Sequence, residues 1–318
     1  MSIATGLILG AGGLTLLTGV VGLLAGKISF NMAFSKGKPL NVGDFHYSEQ
    51  EAAEIRQGIE YLDSLEYEEV RVTSYDGLKL YARYYPAENP KGSVVMMHGY
   101  RSGRNDFCGG AGFYRSLGFN LLIPDQRSHG NSEGEHITFG IKERHDCVTW
   151  VNYLNSRPDA KSDVFLGGIS MGASTVLMAT ELELPDNVRG IIADCGFTSP
   201  YDIIRRVAEK DMHVPAKIIL PFTDFFARHT AGFSIREASA PEALAKCSLP
   251  VAFIHGKNDD FVPPEMSRKN YDACKGEKVI YFAEGAGHGT SFLAQRREVE
   301  KVLTDFVRAH STEWHKND

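Results

Sequence analysis

Gly168-Ile169-Ser170-Met171-Gly172 sets a serine between two glycines, directly after the apolar run Val164 to Gly167 and before the helix-forming run Ala173 to Leu182. A strand that turns this sharply into a helix exposes the serine hydroxyl, and only small neighbours let the two backbones approach. A serine hydroxyl is a poor nucleophile at neutral pH. It needs a base within hydrogen-bond reach, and the base needs a carboxylate to fix its tautomer and stabilise its positive form. Two later loops supply both. After the apolar run Pro250 to His255 comes Gly256-Lys257-Asn258-Asp259-Asp260, and after Lys278 to Phe282 comes a glycine-flanked His288. The predicted chemistry is acyl transfer, with Ser170 as nucleophile, His288 as base and Asp259 or Asp260 as acid. Such chemistry also requires two backbone N–H donors for the oxyanion of the tetrahedral intermediate. Met171, which follows the nucleophile, is one. Tyr100 is the other, in the loop His98-Gly99-Tyr100-Arg101 after the run Ser93 to Met97. Its side chain is expected either to line the pocket or to stand exposed without a role.

These loops need a frame that brings them to one edge. Continuous apolar runs at Ser93 to Met97, Phe119 to Ile123, Val164 to Leu166, Val188 to Ala193, Val251 to Ile254 and Val279 to Phe282 alternate with helical periodicity. That alternation predicts a mostly parallel central sheet with helices on both faces. The loops of Ser170, Asp259 and His288 then fall at carboxyl ends of strands, on the same side. Val70 to Thr73 and Leu78 to Tyr84 alternate around Asp76-Gly77 as an antiparallel hairpin, and Ser48 with Glu51 forms a capping box for a helix to about Leu65. Between about 200 and 248 the rhythm is interrupted by Ile203, Ile204, Ile218, Ile219, Phe225 and Phe226. As a cluster they suggest a lid inserted over the strand ends; taken singly, they fit the buried faces of ordinary crossover helices.

Six motifs together resemble the α/β-hydrolases related to carboxylesterases, monoacylglycerol lipases and serine aminopeptidases. They are the loop at His98, the stretch from Asp125 through Arg127 and His129 to Gly134, the Ser170 motif, Ala193 to Thr198, the loop at Asp259, and Gly287-His288. The resemblance runs from Val70 to the last helix and implies the α/β-hydrolase fold, with Asp259 rather than Asp260 as the acid. It implies a structural loop for Asp125, Arg127 and His129, which taken alone also read as a metal-binding or second catalytic pair. The expected reaction is hydrolysis of a short-chain or aromatic carboxylic ester. Peptide or amide hydrolysis is the alternative, favoured if Glu209, Asp211 or Asp224 in the lid binds a free amine. A tethered, non-catalytic binding protein on the same fold is the rival from another class.

The chain has 318 residues, with 43% hydrophobic and 23% charged content, a net charge of −6 and no basic stripe, so nucleic acid is excluded as an expected partner. The five cysteines contain no C-x-x-C pair, and nothing calls for a cofactor or a metal. Ile3 to Gly26 carries no charge and would span about 35 Å as a helix. A transmembrane anchor over 1–26, a linker over 27–44 and a hydrolase domain over 45–318 are therefore expected. A cleaved signal peptide is the alternative, although no positive residue precedes the run. Lys27, Lys36 and Lys38 follow it and place the domain on the cytoplasmic side. Because every predicted catalytic group lies beyond Ser93, the anchor and its linker should be separable from the chemistry.

Overall fold

Every apolar run becomes a strand in the computed structural model, which describes residues 21–38, 48–160 and 162–314. The strands are β1 (Glu68–Thr73), β2 (Lys79–Tyr85), β3 (Gly92–Met97), β4 (Phe119–Asp125), β5 (Val164–Ile169), β6 (Val188–Asp194), β7 (Val251–Gly256) and β8 (Lys278–Ala283). They form one sheet in the order β1-β2-β4-β3-β5-β6-β7-β8. The hairpin β1-β2 is antiparallel, β2 also runs antiparallel to β4, and the strands from β4 to β8 are parallel. Alternate residues of β3 serve different cores: Val95 and Met97 join one hydrophobic cluster, Val94 and Met96 the other. This is the two-residue period of a strand buried on both faces.

The helices are α1 (21–34), α2 (Glu49–Ser64), α3 (Ala111–Ser116), α4 (Glu143–Ser156), α5 (Met171–Ala179), α6 (Pro200–Arg206), α7 (Ala216–Phe226), α8 (Ala240–Leu244), α9 (Pro264–Ala273), α10 (Ser291–Ala294) and α11 (Arg296–His310). Trp150 of α4 and Val176 of α5 lie in the first cluster, Tyr114 of α3 and Phe306 of α11 in the second. The capping box forms as expected: Glu51 N–H donates to Ser48 Oγ at 3.2 Å, and Ser48 N–H donates to Glu51 Oε2 at 2.8 Å. The stretch from 200 to 248 folds as α6, α7 and α8, with single π-helical turns extending α6 and α7.

The linker expected over 27–44 is corrected by α1. Residues 1–20 and 39–47 lie outside the described residues, but 21–34 form one helix packed into the domain. Phe30 and Phe34, one helical turn apart, are 1% and 0% exposed. Phe34 meets Phe139 and Phe233 edge-on at 5.6 and 5.2 Å. Gly22 and Gly26 lie so close to Phe222 of α7 that a side chain at either would collide with it. The hydroxyls of Ser29 and Thr223 are hydrogen-bonded at 2.9 Å. A segment that buries two phenylalanines cannot act as a tether. Among the described residues, no helix is long and apolar enough to cross a membrane.

Two imidazoles brace the loops after β3 and β4. His98 Nδ1–H donates to Gly99 O at 2.7 Å while its Nε2 accepts the Gln126 N–H at 3.0 Å; His129 Nδ1–H donates to Arg127 O at 2.9 Å while its Nε2 accepts the Arg101 N–H at 3.0 Å. Both rings are thereby fixed neutral. Burial lowers His98 to about 4 and His129 to about 3.

Two outcomes follow. Phe34→Ala should lower unfolding stability by ~3–5 kcal/mol, as for other fully buried phenylalanines, measured by urea denaturation of the full-length protein. A loss under 1 kcal/mol would mean that α1 is not part of the core. The histidines act through pH. Since their folded values lie below the unfolded value near 6.5, the stability they support is present above about 6.5 and is lost as pH falls through about 4 and 3, at ~1.4 kcal/mol per pKa unit. His129→Gln keeps an acceptor for Arg101 N–H but cannot take up a proton, so its melting temperature should fall less steeply than wild type between pH 6.5 and 4. Parallel slopes would refute the assignment.

Candidate active site

The turn from β5 into α5 is set by contacts too close for any side chain. A Cβ added to Gly172 would run into the Met97 and His98 carbonyls, and one added to Gly168 would run into the backbone of Gly172. Between them Ser170 sits at φ 54° and ψ −114°, outside the ordinary regions for an L-residue, with its N–H donating to Asp194 O at 2.9 Å. Such a conformation persists only where the surrounding structure enforces it.

The three residues that the spacing selects meet there. Ser170 Oγ lies 2.9 Å from His288 Nε2, and His288 Nδ1 lies 2.7 Å from Asp259 Oδ2. The carboxylate beside His288 is that of Asp259; Asp260 is exposed, and its carbonyl accepts a hydrogen bond from Arg206. Oδ1 of Asp259 accepts the N–H groups of Phe261 at 3.0 Å and Val262 at 2.8 Å. His255 Nε2–H is shared between Val262 O at 2.8 Å and Asp259 Oδ2 at 3.1 Å. Burial alone would raise the Asp259 carboxyl, but the hydrogen bonds from His255 and His288 outweigh it and hold the group ionised. An imidazole that donates Nδ1–H to a fixed carboxylate leaves Nε2 free to accept the serine proton. His255 was read from the sequence only as a strand residue; its position at the end of β7, four residues before Asp259, is the one signal that could have marked it.

Beside the turn, a Cβ on Gly99 would stand 3.7 Å from that of Ser170. Among the described residues, the N–H groups of Tyr100 and Met171 have no acceptor, whereas the neighbouring Gly99 N–H donates to Asp106 Oδ2 at 2.7 Å and Arg101 N–H to His129. Ser102 Oγ–H also donates to Asp106, whose carboxyl is raised by burial. No sequence pattern marks Asp106, because its role exists only once the loop folds back on itself. The Tyr100 side chain matches neither expectation. Its hydroxyl donates to Ala33 O at 2.8 Å, and its ring stacks on Phe139 at 4.9 Å, so it points at α1.

Arg127 pairs with Asp146, both oxygens at 2.7 Å, and with Asp76 at 2.8 and 3.2 Å. Asp125 accepts the Asn131 N–H at 2.8 Å. With both nitrogens of His129 engaged, Asp125 and His129 form a loop brace rather than a metal-binding or second catalytic pair. Among the described residues, Cys195, Asp259 and His288 are the one group with metal-donor spacing. Its carboxylate and imidazole are committed to each other, and burial holds the Cys195 thiol well above its usual range, so the set does not suit a metal ion. The carboxylates expected to bind a free amine are also paired: Glu209 with Arg205, Asp211 with Arg206 and Asp224 with Arg228.

Two family models match the chain, one described as serine aminopeptidase, S33, over residues 88–219 and one as serine hydrolase (FSH1) over 165–290. The chain is 29% identical over 222 residues to YqkD of Bacillus subtilis, covering 70% of this chain and 72% of that one. It is 29% identical over 204 residues to the lysophosphatidylserine lipase ABHD12 of Danio rerio, covering 61% of this chain and 52% of the lipase. Among solved structures, the Pyrococcus furiosus esterase Pf2001 superposes with a TM-score of 0.63 at 21% identity, over 86% of this chain and 100% of that one. Est1E of Butyrivibrio proteoclasticus, solved with ferulic acid bound, gives 0.57 at 18% identity over 76% and 98%. These two likenesses speak for the fold. Both family matches include the turn at Ser170, and they extend from it in opposite directions to take in the loops of Tyr100 and His288; the chain has the α/β-hydrolase fold and is a serine hydrolase.

Proposed function

We propose that the chain cleaves carboxylic esters through a covalent acyl-enzyme. The observation that carries this reading is the unbroken line from Ser170 Oγ through His288 to Asp259, at 2.9 and 2.7 Å, beside two backbone N–H groups without acceptors. Ser170 Oγ attacks the ester carbonyl as its proton passes to His288 Nε2, and the oxyanion accepts hydrogen bonds from Tyr100 and Met171. The intermediate collapses, and His288 returns the proton to the departing alcohol. Water then attacks the acyl-enzyme with His288 as base, releasing the acid and restoring Ser170.

A short-chain or aromatic acyl group is the proposed substrate class; the Pf2001 esterase, which shares the fold, agrees with an ester, and the ferulic acid bound to Est1E with an aromatic acyl group. Amide hydrolysis at a free amino terminus loses its motivation, since Glu209, Asp211 and Asp224 are each already neutralised by an arginine. The non-catalytic rival has no observation in its favour. We read α6 to α8 as a lid: Arg206 reaches Asp260 O and lies 5.5 Å over the Phe261 ring, which in turn packs edge-on to His288 at 5.1 Å.

Attachment to a membrane, with the domain on the cytoplasmic side, is part of the same proposal. Its support is the uncharged run from Ile3 to Gly26, together with exposed Val21, Leu24 and Ile28 on α1 and Ile218 and Phe225 on α7.

A fluorophosphonate probe should label Ser170, and Ser170→Ala should abolish the labelling. Ser170→Ala and His288→Ala should each lower kcat on a p-nitrophenyl ester by about 10⁴ to 10⁶, with little further loss when combined. Multiplicative losses would mean that the two residues do not act as a unit. On fractionation, full-length protein should sediment with membranes and resist high salt, since apolar burial is not screened. Recovery in the soluble fraction would remove the membrane proposal and leave the hydrolase reading intact.

A further inference from the structure

We infer that Arg101 is a positioning residue for the oxyanion hole, and that it works by fastening the Tyr100 loop to the carboxyl end of α1. The inference rests on the serine-hydrolase reading and adds to it the group that holds one of the two N–H donors in place. A helix leaves its last four carbonyls without partners in its own backbone ladder. At the end of α1 each is satisfied. Asn31 O accepts the Ser35 N–H at 3.2 Å and Phe34 O the Ile137 N–H at 2.7 Å. The two between them go to the oxyanion loop. Met32 O accepts from Arg101 Nη2 at 3.0 Å, with the Tyr100 hydroxyl at 3.3 Å, and Ala33 O accepts from that hydroxyl at 2.8 Å. The same Arg101 Nη2 also donates to Ser35 O at 3.0 Å, just past the helix.

Arg101 is a residue that needs such holding. Its φ is 51°, in the left-handed region that an arginine enters only when neighbouring contacts enforce it. Its N–H is fixed from below by His129 Nε2 at 3.0 Å, and its guanidinium is fixed from above by α1. The peptide plane between Tyr100 and Arg101 is thus anchored on one side by Arg101 N–H, and the Tyr100 side chain is anchored on the other. With both ends tied, the remaining Tyr100 N–H has one direction in which to point. Releasing the guanidinium leaves the Tyr100 hydroxyl, among the described residues, as the loop's one hydrogen-bonded tie to the end of α1 and lets the strained residue relax, so the donor shifts off the position of the oxyanion while Ser170, His288 and Asp259 stay where they are.

A lost oxyanion donor costs about 10² to 10³ in kcat, and a displaced one costs a fraction of that. The substrate's ground state gains little from the donor, so KM should hardly move. The experiment uses full-length protein with Arg101→Gln, which keeps the stem but not the fork, and Gly37→Ala. The second variant approaches from outside the loop, because a Cβ on Gly37 would occupy the space of the Arg101 guanidinium. In both, kcat on a soluble p-nitrophenyl ester should fall about tenfold with KM within twofold. Affinity for a trifluoromethyl ketone, whose serine adduct carries the oxyanion, should fall in parallel with kcat/KM. Circular dichroism and the melting transition report whether the fold is kept. Unchanged kcat in both folded variants, or a fall in kcat with ketone affinity unmoved, overturns the inference and leaves the hydrolase reading standing. Wild-type protein that neither turns over ester nor takes a fluorophosphonate overturns that reading, and the inference with it.

Discussion

The site depends on one close approach, that of the Gly172 backbone to the carbonyls of Met97 and His98. Because no Cβ stands between them, the end of β3 and the start of α5 touch, and two things are settled at once. Ser170 is forced to φ 54° on the rim of the sheet, and the loop after β3 is delivered to within van der Waals reach of it. Ser170 and the two N–H groups proposed as oxyanion donors therefore belong to one packed junction instead of two loops that must find each other. The two strands on the other side, β7 and β8, need only end at the same edge for their loops to bring Asp259 and His288 into line.

Around that junction, every polar group the chemistry would disturb is already spoken for. Asp259 receives two backbone N–H groups and two imidazoles, so its charge is held in a buried place without being free to take the proton from His288. Asp194, immediately beneath the serine, lends its carbonyl to Ser170 N–H while burial raises its carboxyl to about 6 and Ser291 donates to it at 3.1 Å. Asp106 does for the Gly99 N–H what Asp194 O does for Ser170. Tyr100 and Met171 are left with backbone N–H groups that have no acceptor among the described residues, the pair that the proposed mechanism assigns to the developing negative charge.

Much of this was legible in the chain because the signals were local. The G-x-S-x-G turn, the glycines around His288 and the apolar runs each state their own structure over fewer than ten residues, and all eight strands lie where alternation or continuous hydrophobicity places them. What was misread depended on distant partners. The charges at Lys27, Lys36, Lys38 and Asp44 make 27–44 look like a solvated tether, yet Phe30 and Phe34 fall one helical turn apart and are the available sign of a buried face. The destination of the Tyr100 side chain could not be read at all, since the surface it meets is built from α1. Asp106 and His255 belong to the same class: ordinary residues by sequence, given work by the fold.

The position of α1 has a consequence for how the protein is made. Its residues are synthesised before any strand of the sheet, but their partners arrive much later: Arg101 about 70 residues on, Ile137 about 100, and Thr223 at a separation of 194 from Ser29. Until the ribosome has released α7, Phe30 and Phe34 have no complete core to enter, and the carboxyl end of the helix has no surface to close upon. Long-range contacts of this kind form late. The first of the described helices to emerge is then among the last to dock, and a nascent chain stalled before α7 would carry the loop of Tyr100 and α1 without the core that holds them together.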